Sequence, residues 1–265
     1  MRAHWALHEL SLPYDMRAIR TRSAETQTAE FTTLNSRRKI PVLQDGAFVI
    51  TESAAIVAYL SDTYSNEDNA LVPSSRSDRA RWLEWCFFIM TELDATSLYV
   101  IRRHLGLRAI YGDAPTAVEA AKSYFSRQLN YVTKALSTNS RYLMGEQFNT
   151  ADILLTTCLT SANRKKISLP SVCIEYLERT TARAADRAAY ATNYPQVQLS
   201  VDIRFLLGHG RHGPRTLQTR RQMQTPNRTQ DLLDQLIGAQ QNGLRHRKAE
   251  RLGSFEVHSH LEFDR

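Results

Sequence analysis

Glu52 and Ser53 stand between an apolar run, Ala47-Phe48-Val49-Ile50, and a helical stripe of Ala55, Ile56, Tyr59 and Leu60. A serine in the first turn of a helix adds a hydroxyl donor to the free N–H groups and the positive dipole end found there, and together these favour a carboxylate. Glu52 beside it can pair with an ammonium, so the two neighbours suit a ligand that carries both charges. The plainer alternative is a turn followed by a capped helix, with Lys39 as a solvated charge at the end of a strand, and one short motif does not separate the two. His4 and His8 share a helix face at i, i+4, but the glutamate of H-E-x-x-H is missing and no third ligand is identified, so no metal site is expected. Cys86, Cys158 and Cys173 form no C-x-x-C or C-x-C pair, which argues against a disulfide framework or structural zinc and for three buried thiols.

The elements that would position these residues follow from periodicity. Ala3, Ala6, Leu7 and Leu10 have helical spacing, and Leu12-Pro13 stops that helix. Tyr14, Met16 and Ala18 alternate in a short strand that runs to Ile19, and a polar stretch after it holds at most one irregular helix over 30–34. Lys39-Ile40-Pro41-Val42-Leu43 and Ala47-Phe48-Val49-Ile50 flank Gln44-Asp45-Gly46, and Asp-Gly between two apolar runs predicts an antiparallel hairpin. Thr51 offers an N-cap hydroxyl to the helix that follows, which ends before Ser65. Beyond a linker over 65–77 the pattern is helical. Leu83, Cys86, Met90, Leu93, Ser97 and Ile101 form one long stripe, and Val118, Ala121, Phe125, Leu129, Val132 and Leu136 form a second. Trp82, Trp85, Phe87, Phe88 and Tyr99 read as core and domain-interface packing. Asn149-Thr150-Ala151-Asp152 is a capping box with Phe148 and Ile153 as its hydrophobic staple, and the helix over 150–161 is apolar nearly all round, hence central and buried. Leu169-Pro170 opens another helix with Val172, Tyr176 and Leu177 inward.

The chain has 265 residues with 42% hydrophobic and 23% charged, which excludes collagenous, mucin-like and wholly disordered classes. No apolar run reaches the roughly 18 residues of a spanning helix, and no secretory leader is visible at the N-terminus, so a cytoplasmic protein with no membrane partner is expected. The net charge of +7 is uneven: Lys and Arg outnumber Asp and Glu by 23 to 20 over 1–195 and by 11 to 7 over 196–265. The final segment also holds five of the eight histidines, and Gly208-His209-Gly210-Arg211-His212-Gly213-Pro214 cannot be regular structure. Only Leu232, Leu233, Leu236 and Ile237 suggest a short helix there. The segment reads as a disordered basic tail. Its arginines lack the interleaved aromatics that stack on bases, so a nucleic-acid partner is not expected.

Taken in order, Leu10-Ser11-Leu12-Pro13-Tyr14, Asn35 with Lys39-Ile40-Pro41-Val42-Leu43, Asp45-Gly46, Ile50-Thr51-Glu52-Ser53-Ala54-Ala55-Ile56 and Phe148-Asn149-Thr150-Ala151-Asp152-Ile153 resemble the glutathione S-transferase family, nearest its bacterial and theta-like members. The resemblance covers about residues 2–194. It implies an α/β thioredoxin-like domain over 1–64, an all-α domain over 76–195, and the tail over 196–265. It implies a transferase of detoxification type and a homodimer, with glutathione as substrate rather than cofactor: the thiolate attacks a small hydrophobic electrophile. Ser53 would take the γ-glutamyl carboxylate and Glu52 its ammonium. Pro41 would be cis, leaving the Ile40 backbone to pair with the cysteinyl unit. Lys39, with Gln27 nearby, would hold the glycyl carboxylate. Tyr99 and Arg102 would line the electrophile pocket.

The sequence departs from that family at its start. The family's catalytic hydroxyl or thiol follows a first strand, and aligning the helix start at Arg2-Ala3 places it at Met1, whose thioether has no proton to share with a thiolate. No catalytic residue is named. The sheet is expected to be truncated, with the 14–19 strand and the hairpin deprived of the strand between them, either because the start lies too far downstream or because the copy is degenerate. The alternative function is a non-catalytic glutathione-binding or protein-interaction module of the same fold.

Overall fold

A computed structural model describes residues 1–19, 24–66, 69–138, 140–195 and, for the backbone alone, 255–260. Helix α1 (Arg2–Glu9) buries Ala3, His4, Trp5, Ala6 and Leu7 and leads into strand β1 (Tyr14–Ile19), the strand read from alternation. A short 3-10 turn (Glu25–Gln27) precedes α2 (Ala29–Leu34), whose N-terminus is capped by Thr28, its hydroxyl accepting from the Phe31 N–H. Strands β2 (Val42–Asp45) and β3 (Phe48–Thr51) pair antiparallel, Val42 opposite Thr51 and Asp45 opposite Phe48, with Gly46 at φ +57° in the turn. Helix α3 (Ser53–Tyr64) returns over the sheet. Asp45 accepts from the Tyr59 hydroxyl at 2.7 Å and from Tyr64 at 2.5 Å, which ties the hairpin to α3. Thr51 pairs in β3 and caps nothing. The N-cap is Glu52, held at φ +69° without a side-chain cap.

The sheet order is β1-β4-β2-β3, where β4 is Phe255–His260. Strand β4 runs parallel to β1, from Tyr14 opposite Phe255 to Ile19 opposite His260, and antiparallel to β2, from Val42 opposite His258 to Asp45 opposite Phe255. Two expectations are corrected by this pairing. The interval between β1 and the hairpin is filled, not empty, and six residues of the segment expected to be a disordered tail form a central strand. The alternation of Phe255-Glu256-Val257 is too short to stand out beside the polar, arginine-rich sequence before it, and a strand's partner is chosen by unpaired N–H and C=O groups, not by nearness in sequence. The other tail features, including Leu232 to Ile237 and the basic run, lie outside the described residues.

One face of the sheet packs Leu43 against Trp5, Leu7, Ile56, Val57 and Leu60 of α1 and α3. On the other face Ile19 and Val42 meet Phe31 of α2.

The helical part starts with α4 (Arg76–Phe88), capped by the Ser75 hydroxyl. It continues in π-helical form over Ile89–Leu98, through α5 (Tyr99–Ile101) and a second π segment, Arg102–Gly106, to α6 (Arg108–Tyr111). The buried stripe is Trp82, Trp85, Ile89, Leu93, Ser97 and Ile101. Leu83 and Phe87, expected inside, are 41% and 65% exposed; Cys86 and Met90 are half-buried. A step of four residues overshoots the 3.6-residue α turn, and the wider π turns keep Ile89, Leu93 and Ser97 in line, which selects a stripe offset from the expected one.

Helix α7 (Pro115–Leu136) carries its stripe as read. Helix α8 (Thr150–Arg164) is buried nearly all round and packs beneath α9 (Ser171–Thr181), which turns Cys173, Tyr176 and Thr180 inward. A final helix, α10 (Ala184–Asn193), lies against α1, and no side-chain cap or proline announces it. Among the described residues no helix is long and apolar enough to cross a membrane.

The start of α8 hangs on Asp152. Its carboxylate accepts from the Asn149 N–H at 2.9 Å, the Leu143 N–H at 2.8 Å and the Tyr176 hydroxyl at 2.6 Å, while the Asn149 side chain accepts from the Ala151 N–H at 2.9 Å. Burial pushes its carboxyl up to about 6 against the pull of these donors. Asp152→Ala strands three buried donors, at about 1–3 kcal/mol each, so a loss of about 3 kcal/mol or more is expected in urea unfolding, and Tyr176→Phe should cost clearly less.

Candidate active site

A cavity of about 1680 Å³ opens where the N-terminus of α1, the loop before β2 and the start of α3 face the π-helical stretch and the C-terminal ends of α8 and α10. Asn35, buried at the end of α2, shapes the loop: its Nδ2 donates to the Lys39 carbonyl at 2.7 Å and its Oδ1 accepts from the Arg37 N–H at 3.0 Å. Arg38 sits at φ +56°, and the Ile40-Pro41 peptide bond is cis. Arg38 donates to Gln27 Oε1 at 2.8 Å, and Lys39 Nζ reaches the Tyr99 hydroxyl at 3.5 Å.

Ser53 begins α3, and its Oγ accepts from Arg2 Nη1 at 3.2 Å. Arg2 is held from three other sides: Nε donates to Thr157 Oγ1 at 2.7 Å, Nη2 to Cys158 Sγ at 3.3 Å, and Nη2 lies 2.7 Å from Asp94 Oδ2. Burial works against the guanidinium charge, and the Asp94 carboxylate beside it more than offsets this, so Arg2 holds its proton more tightly than usual. Glu52 pairs with Arg37. Its left-handed backbone is a sparsely populated conformation for a side-chain-bearing residue, of the kind that clusters at ligand sites.

Of the residues chosen from sequence, Gln27, Lys39, Ile40, Pro41, Ser53, Tyr99 and Arg102 all line this one cavity. Glu52 lies outside the lining, next to Arg37, which belongs to it. Met1 also lines the cavity. Its ammonium donates to Asn193 Oδ1 at 2.9 Å, and its sulfur accepts weakly from Asn193 Nδ2 at 3.8 Å. His4 and His8 meet the same phenol, Tyr14, at 2.9 Å and 3.3 Å.

Cys158 and Cys173 are buried as expected, and Cys86 is half-buried. Burial pushes Cys86 and Cys158 up to about 12, which keeps both as protonated thiols. Sequence reasoning missed Arg2, Asp94, Thr157 and Asp186. Burial and the charge of Glu9 raise the Asp186 carboxyl to about 7 on the cavity wall. The only signal for Arg2 was a charge on a helix whose neighbouring turn is apolar.

The wall carries Arg2, Arg37, Arg38, Lys39, Arg102, Arg164, Lys165 and Lys166 against Asp94 and Asp186, a balance that attracts anionic ligand groups. Residues 1–63 match the family model described as the glutathione S-transferase N-terminal domain, and residues 88–179 match the glutathione S-transferase C-terminal domain. A glutathione transferase of solved structure from Methylococcus capsulatus is 30% identical, with 71% of this chain and 90% of that chain covered at a TM-score of 0.60. The probable maleylacetoacetate isomerase 2 of Drosophila melanogaster is 27% identical over 73% of this chain and 84% of its own length. Mouse glutathione S-transferase theta-3 is 26% identical over 55% of this chain, which spans only 61% of that relative. The chain belongs to the glutathione S-transferase family.

Two outcomes test the geometry. Arg2→Met leaves Asp94 without its cation and should lower stability by about 3 kcal/mol in urea unfolding; an unchanged midpoint would mean the ion pair is screened. His4, held down at about 3 by burial, the Met1 ammonium and His8, stays neutral when folded while the unfolded chain protonates at about 6.5. Its contribution is therefore present above pH 6.5 and is lost as pH falls toward 3, by up to about 1.4 kcal/mol per pH unit. The acid limb of stability against pH should be shallower in His4→Gln.

Proposed function

We propose that this cavity binds glutathione and that the protein transfers its thiolate to a small hydrophobic electrophile. The observation that carries the reading is the convergence of Ser53 at the first turn of α3, the cis Ile40-Pro41 bond and Lys39 on one cavity wall. Ser53 and the N–H groups of α3 take the γ-glutamyl carboxylate, and Glu52, beside the lining and paired with Arg37, would exchange that partner for the ammonium. The Ile40 backbone pairs with the cysteinyl unit as an added strand, and Lys39 with Gln27 holds the glycyl carboxylate. Tyr99 and Arg102, on the opposite wall, receive the electrophile.

The positive end of α1 and the cations of the wall favour the thiolate. These would lower the thiol from its free value of roughly 8.5, and holding the two reactants together supplies the rest of the acceleration. The exposed apolar side chains Phe48, Leu83 and Phe87 support a homodimer that would cover them. The function is read as detoxification in the cytoplasm, with glutathione as substrate and no bound cofactor.

The full chain should be retained on glutathione-agarose and should conjugate glutathione to an activated aromatic halide. Ser53→Ala and Lys39→Ala should each weaken glutathione binding by about tenfold, the effect of one hydrogen bond to a charged group. Retention without conjugation selects a non-catalytic binding module, and a chain that does neither overturns the proposal.

A further inference from the structure

We propose that the gap between β1 and β2 is a binding site for an extended strand, and that its resident ligand is the chain's own segment Phe255–His260. In the order β1-β4-β2-β3, the sole sheet neighbour of β1 among the described residues is β4, and β2 is paired on only one side without it. Ile19, Val42 and Leu43 are almost fully buried at this gap, so water cannot take over the N–H and C=O groups that β4 satisfies. The sequence of the segment suits a central strand. Its six residues contain neither proline nor glycine, Phe255 and Val257 alternate with Glu256 and His258, and Gly253-Ser254 sets it off from what precedes.

Along the sequence it lies far from the rest of the domain it joins. Both family matches stop before it, at residues 63 and 179, and 59 residues connect Pro195 to Phe255. Closing so long a connection costs little more than closing one of half the length, since the entropy grows only with the logarithm of length. Recognition is by main-chain pairing on both edges, parallel to β1 and antiparallel to β2, with register set by the alternation, which is how sheets take up a peptide strand. The register sets Ile19 opposite His260, so β4 ends level with the end of β1. The inference rests on this pairing and not on glutathione.

The decisive experiment uses the full chain. Gln44 and Glu256 are directly opposed in the β2/β4 register, at a Cα separation of about 4.5–5.5 Å that a disulfide spans. Gln44→Cys/Glu256→Cys should form an intramolecular disulfide on mild oxidation, whereas the offset pair Gln44→Cys/Val257→Cys, on opposite faces, should not. Equal cross-linking of both pairs, cross-linking of neither, or disulfide-linked dimers would overturn the proposal.

In the full-length Val257→Pro variant, which removes a ladder donor, amide exchange in 14–19 and 42–45 should quicken at least tenfold while α7 and α8 stay protected. A synthetic peptide of residues 254–265 in excess should restore protection. Unchanged protection of β1 in the variant would sink the idea. If α8 also loses protection, the variant has unfolded as a whole, and the two cysteine pairs decide.

Discussion

A guanidinium taken out of water must find partners for its charge and its donors, and Arg2 finds them on three different elements. Ser53 belongs to α3, Thr157 and Cys158 to α8, and Asp94 to the π-helical stretch. None of these can shift without leaving part of the guanidinium unsatisfied. The side chain therefore fixes the thioredoxin-like part against the helical part at the floor of the cavity. The serine proposed as a ligand contact is held in place by the same group.

The rest of α1 repeats this arrangement on a larger scale. At its far end Glu9 accepts a forked pair of bonds from Arg183, at 2.6 and 2.7 Å, and a third from Trp5 Nε1 at 2.9 Å. The Arg183 guanidinium also lies 4.0 Å over the Phe148 ring, beside the staple of α8. At the near end Met1 is tied to Asn193 of α10. Between them Trp5, Ala6 and Leu7 are wholly buried. A helix of eight residues is too short to be stable alone, and here the packing on both sides supplies what its length cannot.

What was legible in the sequence was local. The hairpin carried its turn in Asp45-Gly46, α8 carried its own capping box, and β1 was given by alternation and a preceding proline. The seven cavity residues were named through the resemblance of short local motifs to the family, and nothing in their spacing announces that the fold gathers them around one cavity. The Arg2 cluster joins positions more than 150 apart, and nothing local marks Thr157 or Asp94 as its partners. The π-helical turns were hidden because their buried positions mimic an α stripe for two turns before the phase diverges. Strand β4 was missed for the most physical of reasons: an isolated six-residue alternation means nothing until two strands are there to receive it.

That strand has a consequence in time. Tyr14 and Phe255 are paired, yet 241 positions separate them, with the entire helical domain between. On the ribosome β1 and the hairpin emerge early, and the strand that joins them is synthesised only after α10. At about 5–20 residues per second the nascent chain spends on the order of ten seconds or more with two sheet edges open. The helical domain, whose pairings are short-range, can fold on schedule. The sheet closes last, so the interval of greatest exposure to chaperones and to aggregation is set by the rate of translation and not by the rate of folding.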